Sequence, residues 1–320
     1  MSTLPITRWL IAALFGLAMG SPYAQDFPSR PVTLVAPYPP GSATDNVARP
    51  LALALHEILG QPVIVDNRAG AQGVIGADYV ARAKPDGYTL LIASTTMFAG
   101  TSLVKNLPYD PIKGFQPVSG IGSTSMMFLV KADSPIKTIA DLVNAAKTRK
   151  DALNVGYGAA SAQVVLAMFT NASTGKVTPV SYKGTPQAIT DLTGGQIDAA
   201  VVDIGNGVAQ LNGGRLRALA ISAKARSAAA PDVPILAEVL PGAALETIIA
   251  VVAPAGTPAP IVERLDRAIR AALARPEVKA RFAATTTEVV PLSTSELEKL
   301  LATDLPRWHS LIKAAGIEPQ

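Results

Sequence analysis

Short apolar runs of strand length alternate with helical periodicities along most of this chain, and that alternation admits few architectures. PVTLVA at 31–36 reads as a buried strand. A turn-rich loop follows, and from Asp45 onward Val47, Leu51, Leu55, Ile58 and Leu59 recur at helical spacing. Gly60 is placed to stop that helix. PVIVDN at 62–67 predicts a second strand, Ile75 to Lys84 a helix, and YTLLIAS at 88–94 a third strand. A β-α-β-α-β order favours a parallel sheet flanked by helices. The middle of the chain repeats it. Strands are expected at 125–132, 153–158, 177–182, 197–203 and 217–222, and helices at 139–148, 161–173, 185–195 and 207–216. A strand at 248–258 then leads into helices at 260–274, 276–283 and 294–315. Two halves of similar pattern, with the chain crossing near 120–126 and again near 240–250, predict two lobes around a cleft.

The N-terminus carries Arg8, then the uncharged run WLIAALFGLAMG at 9–20, then small or turn-forming residues to Ala24. This is the layout of a secretory signal peptide over residues 1–24. The run is shorter than the roughly 20 residues a spanning helix needs. The chain has no cysteine, so disulfides, thiolate metal sites, a cysteine nucleophile and a lipid-bearing cysteine at the cleavage site are all excluded. Lys plus Arg is 28 against 24 Asp plus Glu. So mild and diffuse a balance, with no basic run interleaved with aromatics, excludes a nucleic-acid partner.

The matches RPVTLVAPYPPGSATDNVAR at 30–49, LGQPVIVDNRAGAQGVIGADYVARAKPDGYTLL at 59–91, LPYDPIKGFQPVS at 107–119, VSYKGTPQAITDLTGGQIDA at 180–199, GGRLRALAIS at 213–222, PDVPILAEV at 231–239 and APAGTP at 253–258 share an order and spacing. In these the chain resembles the Bug-type extracytoplasmic receptors, the solute-binding subunits of tripartite tricarboxylate transporters. The resemblance implies an α/β, two-lobed type II periplasmic binding protein fold with a ligand cleft between the lobes. Lobe 1 is expected to hold 25–124 plus 248–320, and lobe 2 to hold 125–247. It further implies a periplasmic receptor without a lipid anchor, no cofactor and no metal. A small organic acid is the expected ligand, membrane permease subunits the partners, and a monomer the functional state. Three departures stand out. Ser42 occupies the second glycine of the usual PPGG, Val164 stands where relatives carry histidine three residues after a serine, and ETIIAVVAPAG lacks the aromatic residue often found before APAGTP.

The candidate site residues lie where strands give way to helices. In open α/β sheets ligands sit outside the carboxyl ends of the strands. A helix N-terminus there offers unpaired N–H groups and a partial positive charge that stabilise a carboxylate without any arginine. The loop YPPGSATD contributes Tyr38, Pro39, Gly41, Ser42, Ala43, Thr44 and Asp45. Prolines stiffen it, and Gly41 allows close backbone approach. The same stretch also reads as an ordinary turn in which Asp45 caps its own helix. Ser94 and Thr95, Ser161 with the amide of Ala162, Thr185 after Lys183 and Gly184, and Asp203 at the end of an apolar strand are the other candidates. Capping is the competing role for each.

An enzyme fits poorly. The two histidines, His56 and His309, neighbour no nucleophile motif. There is no G-x-S-x-G elbow, and Gly70, Gly73 and Gly76 lack dinucleotide-loop spacing. Within the receptor class, transport and presentation of a carboxylate to a sensor kinase remain alternatives at this level.

Overall fold

A computed structural model of the chain describes residues 27–319, so the leader expected at 1–24 lies outside the described residues. The first half opens with β1 (Val32–Ala36), α1 (Ala43–Leu59), β2 (Val63–Asn67), α2 (Val74–Ala81), β3 (Thr89–Ser94) and a single turn, α3 (Thr95–Phe98). Then come β4 (Phe115–Lys131), α4 (Ile139–Thr148), β5 (Leu153–Tyr157), α5 (Ala160–Ser173), β6 (Val177–Ser181), α6 (Thr185–Thr193), β7 (Ala199–Asp203), α7 (Ile204–Leu211) and β8 (Leu216–Ile221). The chain returns through β9 (Glu246–Pro254), α8 (Ala259–Ala274), α9 (Pro276–Ala284), the two-residue β10 (Glu288–Val289) and α10 (Thr294–Ala314).

Two sheets share one plan. In the first, β2, β1 and β3 are parallel, and β9 runs antiparallel between β3 and β4. In the second, β6, β5 and β7 are parallel, and β4 runs antiparallel between β7 and β8. Val32, Leu34, Val35 and Ala36 of β1 are all buried, as parallel strands covered on both faces must be.

The long β4 carries the chain from one sheet to the other. From Phe115 to Ser125 it pairs with β9, and from Met126 onward with β7 and β8. Ser222, fully buried, ties the crossings together. Its N–H donates to the Met126 carbonyl at 2.8 Å. Its hydroxyl accepts from Met126 N at 2.9 Å and donates to the Leu245 carbonyl at 2.7 Å. The strand expected from 125 in fact begins at Phe115 and takes in FQPVSGIGS, with its proline and two glycines. The glycines are there for space. A Cβ on Gly120 would fall 2.7 Å from Leu292 Cβ, and one on Gly122 would fall 2.7 Å from the Glu288 carbonyl beside β10.

α10 belongs to both halves. Leu297, Leu301 and Leu305 pack in a cluster with Val35, Leu91 and Val252, whereas Trp308 and Ile312 pack with Phe128, Val155 and Phe169. Pro306 stands between the two sets. Having no N–H, it leaves the Ala302 carbonyl without its usual helical partner.

Candidate ligand-binding site

The loops at the carboxyl ends of β1, β3, β5, β6 and β7 enclose a cavity between the two sheets. Tyr38, Ser42, Ala43 and Thr44 line it from one side, with Ser94 at the end of β3. Gly158, Ala159 and Ser161 at the start of α5, Thr185 at the start of α6, and Asp203 at the end of β7 line the other. Thr124 and Met126 of β4, with Thr247 and Ile249 of β9, close the floor. Larger grooves elsewhere are open to solvent and edged by charged residues, as between α8 and α10, where Glu263, Asp266, Arg267 and Glu298 lie. Among the described residues, the cavity lining holds no lysine or arginine, and no carboxylate–histidine cluster suits a metal.

The start of α1 is set by Ser42. Ser42 is extended (φ −71°, ψ 165°), and its hydroxyl accepts from Asp45 N at 3.4 Å. Serine is therefore suited to this position, where the resemblance has glycine, and it supplies the cap that the sequence reading assigned to Asp45. Asp45 instead lies inside the first turn, and its carboxylate is fully occupied. It accepts from Gly41 N at 2.9 Å, from Arg49 Nε and Nη2 at 2.9 and 2.8 Å, and from Asn67 Nδ2 at 2.9 Å. Burial pushes this carboxyl up, but the hydrogen bonds from Arg49, Gly41 and Asn67 outweigh it and hold it below the usual carboxylate range. The Asp45–Gly41 bond fixes the loop at Gly41, whose φ of +81° favours glycine.

The opposite wall is less guarded. α5 starts after Ala159 and α6 after Gly184, and neither has a side-chain cap. The first-turn N–H groups of these helices have no partner within the helix. Ala160 N reaches only the Tyr38 hydroxyl, at 3.5 Å. That hydroxyl donates to the Gln72 carbonyl at 2.9 Å, and burial pushes its pKa up to about 12, against a smaller opposing effect of the Ala160 hydrogen bond. Asp203 caps α7 by accepting from Asn206 N at 3.0 Å, and it accepts from the Thr185 hydroxyl at 3.1 Å. Burial drives the Asp203 carboxyl up, and the hydrogen bonds from Asn206 and Thr185 offset this only in part. α7 begins three residues earlier than the helix expected at 207–216. Its Gly207 lies against Met127, with an added Cβ only 2.5 Å from Sδ.

Of the thirteen candidate residues, Tyr38, Ser42, Ala43, Thr44, Ser94, Ser161, Thr185 and Asp203 share this cavity. Pro39, Gly41, Asp45, Thr95 and Ala162 stand outside the lining. Pro39 lies against Gly184, Gly41 and Asp45 form the loop brace, and Thr95 and Ala162 are buried behind it. Sequence reasoning passed over Thr124, Met126, Thr247 and Ile249. Thr124 and Thr247 are directly paired across β4 and β9. Val164 is buried in an apolar cluster. His309 Nδ1 does meet a hydroxyl, that of Ser102 at 2.5 Å, but this contact joins α10 to the segment after α3 and lies outside the cavity.

The family model described as tripartite tricarboxylate transporter family receptor matches residues 47–317. The chain belongs to this family. It superimposes on the periplasmic binding protein BugD with a TM-score of 0.87 at 32% identity, covering 92% of this chain and all of that one. MatC of Rhodopseudomonas palustris, solved with bound malate, gives 0.85 at 31% identity over 89% of this chain and all of its own. Rpa4515 of R. palustris, solved with adipate, gives 0.87 at 31% over 92% and 100%. The fold is the two-lobed α/β fold of these periplasmic binding proteins, and the family is one of binding receptors rather than enzymes.

Proposed function

We propose that this protein is a periplasmic receptor that captures a small carboxylate in the cavity and delivers it to the permease subunits of a tripartite transporter. The observation that carries this reading is the convergence of the α1, α5 and α6 N-termini on a cavity lined by hydroxyls and no cation. Each helix N-terminus contributes roughly 0.3–1 kcal/mol toward an anion, and more where water is excluded. Ser42, Thr44, Ser94, Ser161 and Thr185 add hydroxyl donors. A buried acid, Asp203, lies on the same lining and disfavours a second carboxylate next to it. Malate and adipate in the two solved relatives belong to the same chemical class. The leader at 1–24 directs export, and the mature protein acts as a soluble monomer that closes around its ligand by lobe rotation.

A thermal-shift screen over dicarboxylates, tricarboxylates, aromatic acids and amino acids tests this. A ligand at about 100 times its Kd stabilises by roughly 2.7 kcal/mol. A shift with a neutral solute and with no carboxylate overturns the ligand class. Carboxylate uptake that survives deletion of the gene while induction is lost overturns the transport role in favour of sensing.

A further inference from the structure

The two lobes also touch each other directly, beside the ligand cavity but through residues outside its lining. Asn206, in the first turn of α7, donates through Nδ2 to the Gly41 carbonyl at 3.0 Å. The same amide donates to the Asp203 carboxylate at 3.0 Å, and the Asn206 backbone N–H donates to it as well, so the side chain is aimed from within its own lobe. Its acceptor is equally fixed, because Gly41 N donates to Asp45. Nearby, Pro39 packs on Gly184, where a Cβ would lie 2.7 Å from Pro39 Cδ. A third contact runs from Gln72 Nε2 to the Ser181 hydroxyl at 2.8 Å, from a backbone in the left-handed region (φ 55°) that glutamine rarely adopts. Asn206, Gly41, Pro39, Gly184, Gln72 and Ser181 all lie outside the cavity lining, so none of these contacts needs a ligand atom to form.

We propose that Asn206 is a closure latch: its hydrogen bond to Gly41 populates the shut cleft before ligand arrives and so sets part of the apparent affinity. The inference rests on the receptor reading above, in which the lobes open and close. A protein that is binding-competent for a fraction of the time shows its intrinsic Kd divided by that fraction. A contact between the lobes scales the affinity for every ligand through the closed fraction, and Asn206 in addition holds the Asp203 carboxylate that lines the cavity. Gly184 is the matching stop. Its φ of −175° is open to any residue, so alanine there strains nothing in the open form and collides with Pro39 only on closing.

The absence of cysteine makes the test direct. Nitroxide labels at Leu53→Cys and Lys183→Cys, both exposed, report the distance between the lobes by pulsed electron paramagnetic resonance without ligand. The parent shows a short-distance population. Asn206→Ala lowers the closed-to-open ratio about fivefold, the worth of one net hydrogen bond. Gly184→Ala, which leaves the amide intact, removes the short population, and circular-dichroism melts check that both variants fold. An unchanged distribution in Asn206→Ala, or no short population in the parent, overturns the latch. Adding malate or adipate separates the two readings. If neither moves the parent distribution while Asn206→Ala still does, the latch stands and the carboxylate reading loses its support.

Discussion

Asp45, in the first turn of the helix after β1, and Asp203, the N-cap of the helix after β7, are buried acids in different lobes held in opposite electrostatic states. Each is buried, each lies at the start of a helix beside the cleft, and each accepts several hydrogen bonds. Asp45 has a guanidinium, a side-chain amide and a backbone N–H, and its carboxyl is held low. Asp203 has only neutral donors, and burial raises it. The difference separates two uses of an acid at a helix start. With a cation it is a brace that fixes a loop. Without one it is an acid that burial pushes toward its neutral form, left facing the cavity.

Breaking the brace has the largest expected effect. Asp45→Ala strands the Gly41 N–H and the Asn67 amide and leaves Arg49 without its partner, which costs roughly 3 kcal/mol. Urea unfolding measures it, and a loss under about 1 kcal/mol refutes the brace. The pH dependence has a definite sign. Because the folded carboxyl lies below its unfolded value, its contribution is present above the ordinary carboxylate range and is lost as pH falls through the folded value. Parent and variant therefore differ at pH 7 and converge on the acid side.

Asp203→Asn sharpens the comparison from the other lobe. Above the raised Asp203 value, where the acid is ionised, removing that like charge from a partly screened site tightens binding of a dicarboxylate roughly tenfold, and below it parent and variant bind alike. Isothermal titration against malate or adipate gives the number, and weaker binding contradicts the assigned role. The stability sign is opposite to that of Asp45. A raised folded value means that the native chain keeps a proton the unfolded chain has released, so parent stability declines as pH rises from the ordinary carboxylate value through the folded one. The variant lacks that decline and is at least as stable as the parent at pH 7.

The smallest effects belong to Ser42. Ser42→Ala removes the α1 cap and costs about 1 kcal/mol, whereas Ser42→Gly, which restores the glycine of the related pattern, costs only a few tenths. Thermal melts of the pair suffice. No loss in Ser42→Ala would show that the hydroxyl is not what caps the helix.

Which residues share the cavity was legible wherever the site is made of chain direction. Strand ends are read from apolar runs, helix starts from periodicity, and ligands lie between them, so Tyr38, Ser42, Thr44, Ser94, Ser161, Thr185 and Asp203 could be named from position alone. The floor was not legible. Thr124, Met126, Thr247 and Ile249 face the cavity because of the register between β4 and β9, a long-range pairing that local composition does not encode. Nor could sequence show that Asp45 is spent on Arg49, Asn67 and Gly41. Arg49 is a helical neighbour four residues on, but Asn67 arrives from the next strand. The last helix, expected in lobe 1 with the rest of 248–320, in fact packs its apolar stripe on both cores.

That helix bears on the mechanics of the whole. Two crossings tied together at Ser222 act like a pair of door hinges on one edge, and they limit the axis of swing without limiting its extent. α10, anchored by Leu305 on one leaf and Trp308 on the other, works as a check-strap. Those anchors lie three positions, about 4.5 Å of helix, apart. In the proposed lobe rotation the leaves would part only as far as this strap flexes at Pro306, so the last turns of the chain would set the widest gape of the cleft.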